Sequence, residues 1–95
     1  MSEPYQLRLT PTALGQLQGV PLSLLDEVER ALGRLAESPT SVTVRSAFPH
    51  RLDRQLYHFS IPDFTGKRWY FTVHFRYALD VQELVILSIT VREPS

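Results

Sequence analysis

Two histidines and three arginines fall at strand-like positions in the second half of this sequence. Within Arg68 to Tyr77 (RWYFTVHFRY), Arg68, Tyr70, Thr72, His74 and Arg76 share one parity, and Trp69, Phe71, Val73, Phe75 and Tyr77 the other. Such alternation puts one set on each face of a strand, here an apolar face and one carrying cations, hydroxyls and an imidazole. His58 lies in a second alternating run, LYHFSI, and Arg92 follows the apolar run LVILSITV. Histidine titrates near neutrality, so His58 and His74 are a candidate acid and base for RNA cleavage. That reaction needs one group to take the 2′-hydroxyl proton and another to protonate the leaving oxygen. Arg68, Arg76 and Arg92 are candidate phosphate clamps, since a guanidinium fork fits a phosphate and offsets charge developing on it. Both sets also have a structural reading. The histidines can be half-buried strand residues bonded to neighbours, and the arginines can be paired with Asp53, Asp63 or Glu93.

The charge distribution favours a local anion-binding patch. The chain is neutral overall, yet residues 42–76 carry Arg45, Arg51, Arg54, Lys67, Arg68 and Arg76 against Asp53 and Asp63, a net charge of +4. All three histidines fall in the same segment, and the flanking segments are acidic. Arg51, Arg54, Lys67 and Arg76 are therefore expected to bind phosphate beside the catalytic candidates. Among the aromatic residues, Trp69, Phe71 and Phe75 have core parity, leaving Tyr70 and Tyr57 to stack on bases. The sequence has no cysteine, and its three histidines are scattered, so neither a metal nor any other cofactor is expected. No phosphate-binding loop, dinucleotide fingerprint, zinc-protease motif or nucleophile elbow occurs. No apolar run approaches the length of a membrane span and the N-terminus does not read as a signal peptide, so no membrane association and a cytoplasmic location are expected.

These residues need a scaffold. Ninety-five residues suffice for one domain, 1–95, with a single modest core. Tyr5 to Thr10 alternates as a first strand. Thr10-Pro11 reads as a helix N-cap followed by proline at the first helical position. The short helix it opens stops at Gly19, and a longer one begins at Pro21. Its apolar stripe is Leu24, Leu25, Val28, Ala31, Leu32, Leu35 and Ala36, and Ser38-Pro39 ends it. Residues 40–55 have no clear pattern. Strands follow at Leu56–Ile61, Arg68–Tyr77 and Glu83–Val91, the last apolar on both faces. The order β-α-α-β-β-β predicts an α+β fold, with two N-terminal helices packed on one face of an antiparallel sheet.

The strand opening YQLRLTPTAL, the helical pair closed by Pro39, and the pieces LYHFSI, GKRWYF and LVILSITVRE together resemble the RelE/ParE family of type II toxins. The resemblance covers most of the chain. It implies the toxin component of a toxin–antitoxin system, neutralised by a cognate antitoxin that would cover the helical pair or an exposed sheet edge. The RelE-like branch is an mRNA interferase, an endoribonuclease that cleaves mRNA on the ribosome and inhibits translation without a metal. The alternative is a non-nuclease protein-binding module of the same fold, such as the ParE-like branch, which inhibits DNA gyrase. By position, Arg68 resembles the family's sheet arginine that contacts phosphate, and Arg92 the arginine after the last strand that stabilises the transition state. The second-strand lysines of RelE fall near His58 and Ser60, which reassigns proton transfer to His58. The family's late catalytic tyrosine or histidine has no counterpart after Arg92.

Overall fold

A computed structural model describes residues 5–38, 55–78 and 80–94. Its first turning point is Thr10. This residue ends strand β1 (Gln6–Leu9) in an extended conformation and opens helix α1 (Pro11–Gln18), with Pro11 in the first turn. The Thr10 Oγ1 accepts from the Ala13 N–H at 3.2 Å, satisfying one of the free donors of the first helical turn. The same hydroxyl donates toward the carbonyls of Ile86 and Leu87, each 3.0 Å away, and so ties the helix start to the sheet. Thr10→Ala should therefore cost about 2 kcal/mol, roughly half from the cap and half from the sheet contact. Urea unfolding checks this, and Thr10→Ser should recover most of the loss.

Helix α2 (Leu22–Glu37) buries Leu24, Val28, Ala31, Leu32, Leu35 and Ala36, six of the seven residues of the predicted stripe, and Leu25 is half-buried beside them. At its C-terminal end the Ala36 carbonyl, which has no partner inside the helix, accepts from Tyr5 N–H at 2.8 Å. Three strands follow: β2 (Gln55–Pro62), β3 (Arg68–Ala78) and β4 (Glu83–Arg92). They form a meander in which β3 pairs antiparallel with both β2 and β4. The sheet order is β1-β4-β3-β2, and β1 pairs parallel with β4. The sheet is thus mixed, not purely antiparallel. The helical pair carries the chain back over the sheet, so β2 starts at the far edge in the same direction as β1. After two reversals β4 runs the same way and fits between β3 and β1.

Both helices lie against the face formed by Tyr57, Ile61, Phe71, Val73, Phe75, Leu84, Ile86 and Ile89. On β4 the core-facing set changes parity between Ile86 and Ile89. The pairing shows why: register passes from His74↔Ser88 to Phe75↔Ile86, leaving Leu87 as a bulge residue. In the apolar run Leu84, Val85 and Ile86 are all buried, so its first half is covered on both faces as its sequence reads, and the residues that face the helices change parity at the bulge. Thr10 bonds to the carbonyls at that irregularity, and the Gln16 Oε1 accepts from the Ile89 N–H at 2.6 Å just beyond it.

Candidate functional site

The face of the sheet opposite the helices carries the candidate residues. Cross-strand register arranges it in rungs. His58 lies opposite Thr72, which lies opposite Thr90. Next comes Ser60, opposite Tyr70, which is opposite Arg92, and then Pro62 opposite Arg68.

Lys67, Arg68, Tyr70, Arg92, Glu93 and Pro94 line an open cleft of about 570 Å³ at the end of this face. Arg68 is exposed and donates from Nη1 to Ser60 Oγ at 2.9 Å, so one edge of its fork is held while the rest stays free. The Arg92 guanidinium carbon lies 5.0 Å from the centroid of the Tyr70 ring, within cation–π range. Among the described residues none of Arg68, Arg76 and Arg92 is in an ion pair; the pair found is Arg30 with Glu27, on helix α2. Asp63, a possible partner in the sequence, is committed to the β2–β3 turn, and Glu93 lines the cleft without pairing. Three cations in one cleft without a bonded carboxylate suit an anionic ligand.

His58 stands on the adjoining rungs, exposed, with Nδ1 2.9 Å from Thr72 Oγ1. A hydroxyl can donate to Nδ1 or accept from it, so Thr72 holds the ring in either tautomer and leaves Nε2 for a substrate. His58, Ser60, Tyr70 and Thr72 share a shallow depression adjoining the cleft. His58 is the diagonal cross-strand neighbour of Tyr70, about 7–8 Å between Cα atoms.

The other candidates lie elsewhere. His74 is exposed on the same face but six residues from Arg68 along β3, roughly 20 Å at strand rise. Arg76 lies two residues further, opposite Val85, roughly 27 Å from Arg68. Neither can contact a phosphate held by Arg68 and Arg92. Arg51 and Arg54 fall outside the described residues. Tyr57 is 5 % exposed and packs in the core beside Phe59, so it is not available for base stacking. Ser60 and Thr72, which hold Arg68 and His58, were the less visible residues. Their shared parity with the charged set is the only sequence signal, and the cross-strand register is needed to read it.

The turn feeding β3 is built around Asp63. Its Oδ1 accepts from the Thr65 N–H and hydroxyl and from the Lys67 N–H, and its Oδ2 from the Trp69 indole at 3.0 Å. The Thr65 hydroxyl above all, then the Trp69 indole, with the backbone N–H groups adding, holds the Asp63 carboxyl below the usual carboxylate range. A depressed folded-state pKa means that the carboxylate form stabilises the fold above the unfolded-state pKa. That contribution disappears as pH falls through the lower, folded value. Thermal melts from pH 7 down to pH 2 should show an acid-side decline that is smaller in Asp63→Asn, which cannot ionise.

Among the described residues no group of three His, Cys, Asp or Glu side chains is placed to hold a metal ion, and no helix is long and apolar enough to cross a membrane. No protein-family model and no curated protein matches the sequence. Solved structures do match. A chain of the RelBE2 toxin–antitoxin complex of Mycobacterium tuberculosis superposes with a TM-score of 0.68 at 25% identity, over 95% of this chain and 100% of that one. A mutant of the E. coli toxin RelE in the free state gives 0.63 at 13% identity, over 92% and 82%. The intact E. coli RelBE toxin–antitoxin complex gives 0.62 at 15% identity, over 94% and 98%.

Proposed function

With the fold of RelE toxins as its premise, we propose that this chain is the toxin of a toxin–antitoxin pair, a metal-independent endoribonuclease that cleaves mRNA on the ribosome and is neutralised by a cognate antitoxin. The observation that carries this reading is the meeting of Lys67, Arg68, Arg92 and Tyr70 in one cleft, with His58 on the adjoining rungs. Arg68 and Arg92 hold the scissile phosphate from two strands and offset the charge that gathers on its oxygens in the transition state. Lys67 adds charge at the rim, and Tyr70 offers its ring to a neighbouring base. His58, its Nδ1 held by Thr72, takes the 2′-hydroxyl proton through Nε2. The 2′ oxygen bonds to phosphorus, the bond to the 5′ oxygen breaks, and the leaving oxygen takes a proton from solvent in the open cleft.

The test is cleavage of mRNA on programmed ribosomes, mapped by primer extension, with wild-type protein and the single variants Arg68→Ala, Arg92→Ala and His58→Ala. Cleavage by the wild type and its loss in all three variants is expected. Cleavage surviving all three would sink the assignment of the chemistry to this cleft, and no cleavage by the wild type would sink the nuclease reading. Growth inhibition without mRNA cleavage would redirect the search to DNA gyrase, read by a plasmid supercoiling assay.

A further inference from the structure

Among the described residues, one aromatic side chain stands outside both the core and the cleft. Phe64 sits at the tip of the β2–β3 turn and is 95 % exposed, more than any other large apolar side chain among the described residues. A lone exposed apolar residue usually needs no explanation. This one differs because of the loop that carries it.

Residues 63–67 form a closed turn. The Asp63 N–H donates to the Lys67 carbonyl at 2.9 Å and the Gly66 N–H to the Asp63 carbonyl at 3.0 Å. Gly66 takes φ +86°, a left-handed conformation that closes the turn and that glycine adopts without strain. The Asp63 carboxylate then gathers Thr65, Lys67 and the Trp69 indole from inside the loop. A loop tied at this many points loses little backbone freedom on binding, so its tip is held in place for contact. Its position adds to this. The turn joins the strands at the Pro62↔Arg68 pair, the same end of the sheet as Lys67, Arg68, Tyr70 and Arg92. An exposed ring on a well-tied turn at the same end of a sheet as unpaired cations is a combination by which proteins hold single-stranded nucleic acid, the cations following the phosphates and the ring stacking on a base.

We infer that Phe64 is a second base-stacking platform, which takes an unpaired base of single-stranded RNA beyond the nucleotides held in the Arg68–Arg92 cleft. This inference rests on the reading of that cleft as an RNA site. Stacking is insensitive to base identity, so Phe64 adds affinity and sets how the strand approaches, without selecting sequence.

Fluorescence anisotropy with a labelled single-stranded RNA decamer carrying 2′-O-methyl riboses, which blocks cleavage, tests it on the full chain. Phe64→Ala should bind about 5- to 100-fold more weakly, and Phe64→Trp should bind as tightly as wild type. The salt dependence separates stacking from charge. Its log–log slope should be unchanged in Phe64→Ala and should fall by about 0.7 in Lys67→Ala, as for loss of one contact to a single strand. The exposed position predicts an unaltered melting temperature for Phe64→Ala. Wild-type binding with an equal affinity for Phe64→Ala would overturn this inference and leave the cleft reading intact. A wild-type protein that does not bind the decamer would overturn this inference, while the cleft reading is decided separately by cleavage on programmed ribosomes. Loss of a protein partner in Phe64→Ala, with decamer binding unchanged, would assign the ring to a protein contact and likewise overturn the proposal.

Discussion

Arg68→Ala is expected to lower the rate of RNA cleavage at saturating substrate about 100- to 1,000-fold, the usual effect of removing one preorganised donor from a developing negative charge. The loss should fall mainly on kcat, because the arginine acts most strongly when charge concentrates on the phosphate oxygens. Folding should survive. Arg68 is exposed, and its described bond is to the Ser60 hydroxyl at 2.9 Å. Arg68→Lys should recover part of the activity, since it restores the charge without the fork. Ser60→Ala should produce a smaller loss, because it frees the guanidinium without removing it. Arg92→Ala should resemble Arg68→Ala, and the double variant should fall short of the product of the two if, as proposed, both arginines act on one phosphate. Single-turnover cleavage on programmed ribosomes, with circular dichroism to confirm the fold, measures the series. Unchanged kcat in Arg68→Ala would place the chemistry elsewhere on the sheet.

The second large effect is on stability. Phe71 is 1 % exposed on the central strand β3, stacked on Phe59 at 4.9 Å between centroids and paired across the sheet with Val91. Phe71→Ala removes the ring from a packed interior and leaves a cavity that the two-layer fold can only partly close, a loss of about 3–5 kcal/mol. A domain of this size is stable by only about 5–15 kcal/mol. Each kcal/mol shifts its melting temperature by about 4–8 °C, so Phe71→Ala should melt at least about 12 °C below wild type by differential scanning calorimetry. Phe71 lies between Tyr70 and Thr72, which face the other way, so loosening the core should also lower cleavage. Phe64→Ala removes a side chain of the same type from a turn tip and should leave the melting temperature unchanged. The contrast shows that tertiary position, not residue type, sets the cost.

The parts of this protein readable from its sequence are those governed by local physics. Strand and helix bounds follow from alternation, from the apolar stripe Leu24 to Ala36, from the Thr10-Pro11 start and from the Gly19 stop. Each of these acts within a few residues. The parallel β1–β4 pair was not readable, because it depends on how far the helical pair carries the chain across the sheet. The Leu87 bulge was hidden for a related reason. LVILSITV is apolar in both parities, and its pairing with β3 decides which half of the run faces the core in each parity.

The site divides the same way. Parity alone placed Arg68, Tyr70, Thr72, His74 and Arg76 on one face, because successive side chains of a strand point to opposite sides whatever lies beyond it. Parity carries no information about which of those residues share a ligand. Cross-strand register decided that. It set Arg92 beside Tyr70, Ser60 beside Arg68 and Thr72 beside His58, and left His74 and Arg76 far down the strand. Neighbours in a sheet lie within 8 Å, while residues six apart along one strand are separated by roughly 20 Å. The chemical face was therefore written in the sequence, and the grouping of its residues into one cleft came from the tertiary pairing of strands that the sequence keeps far apart.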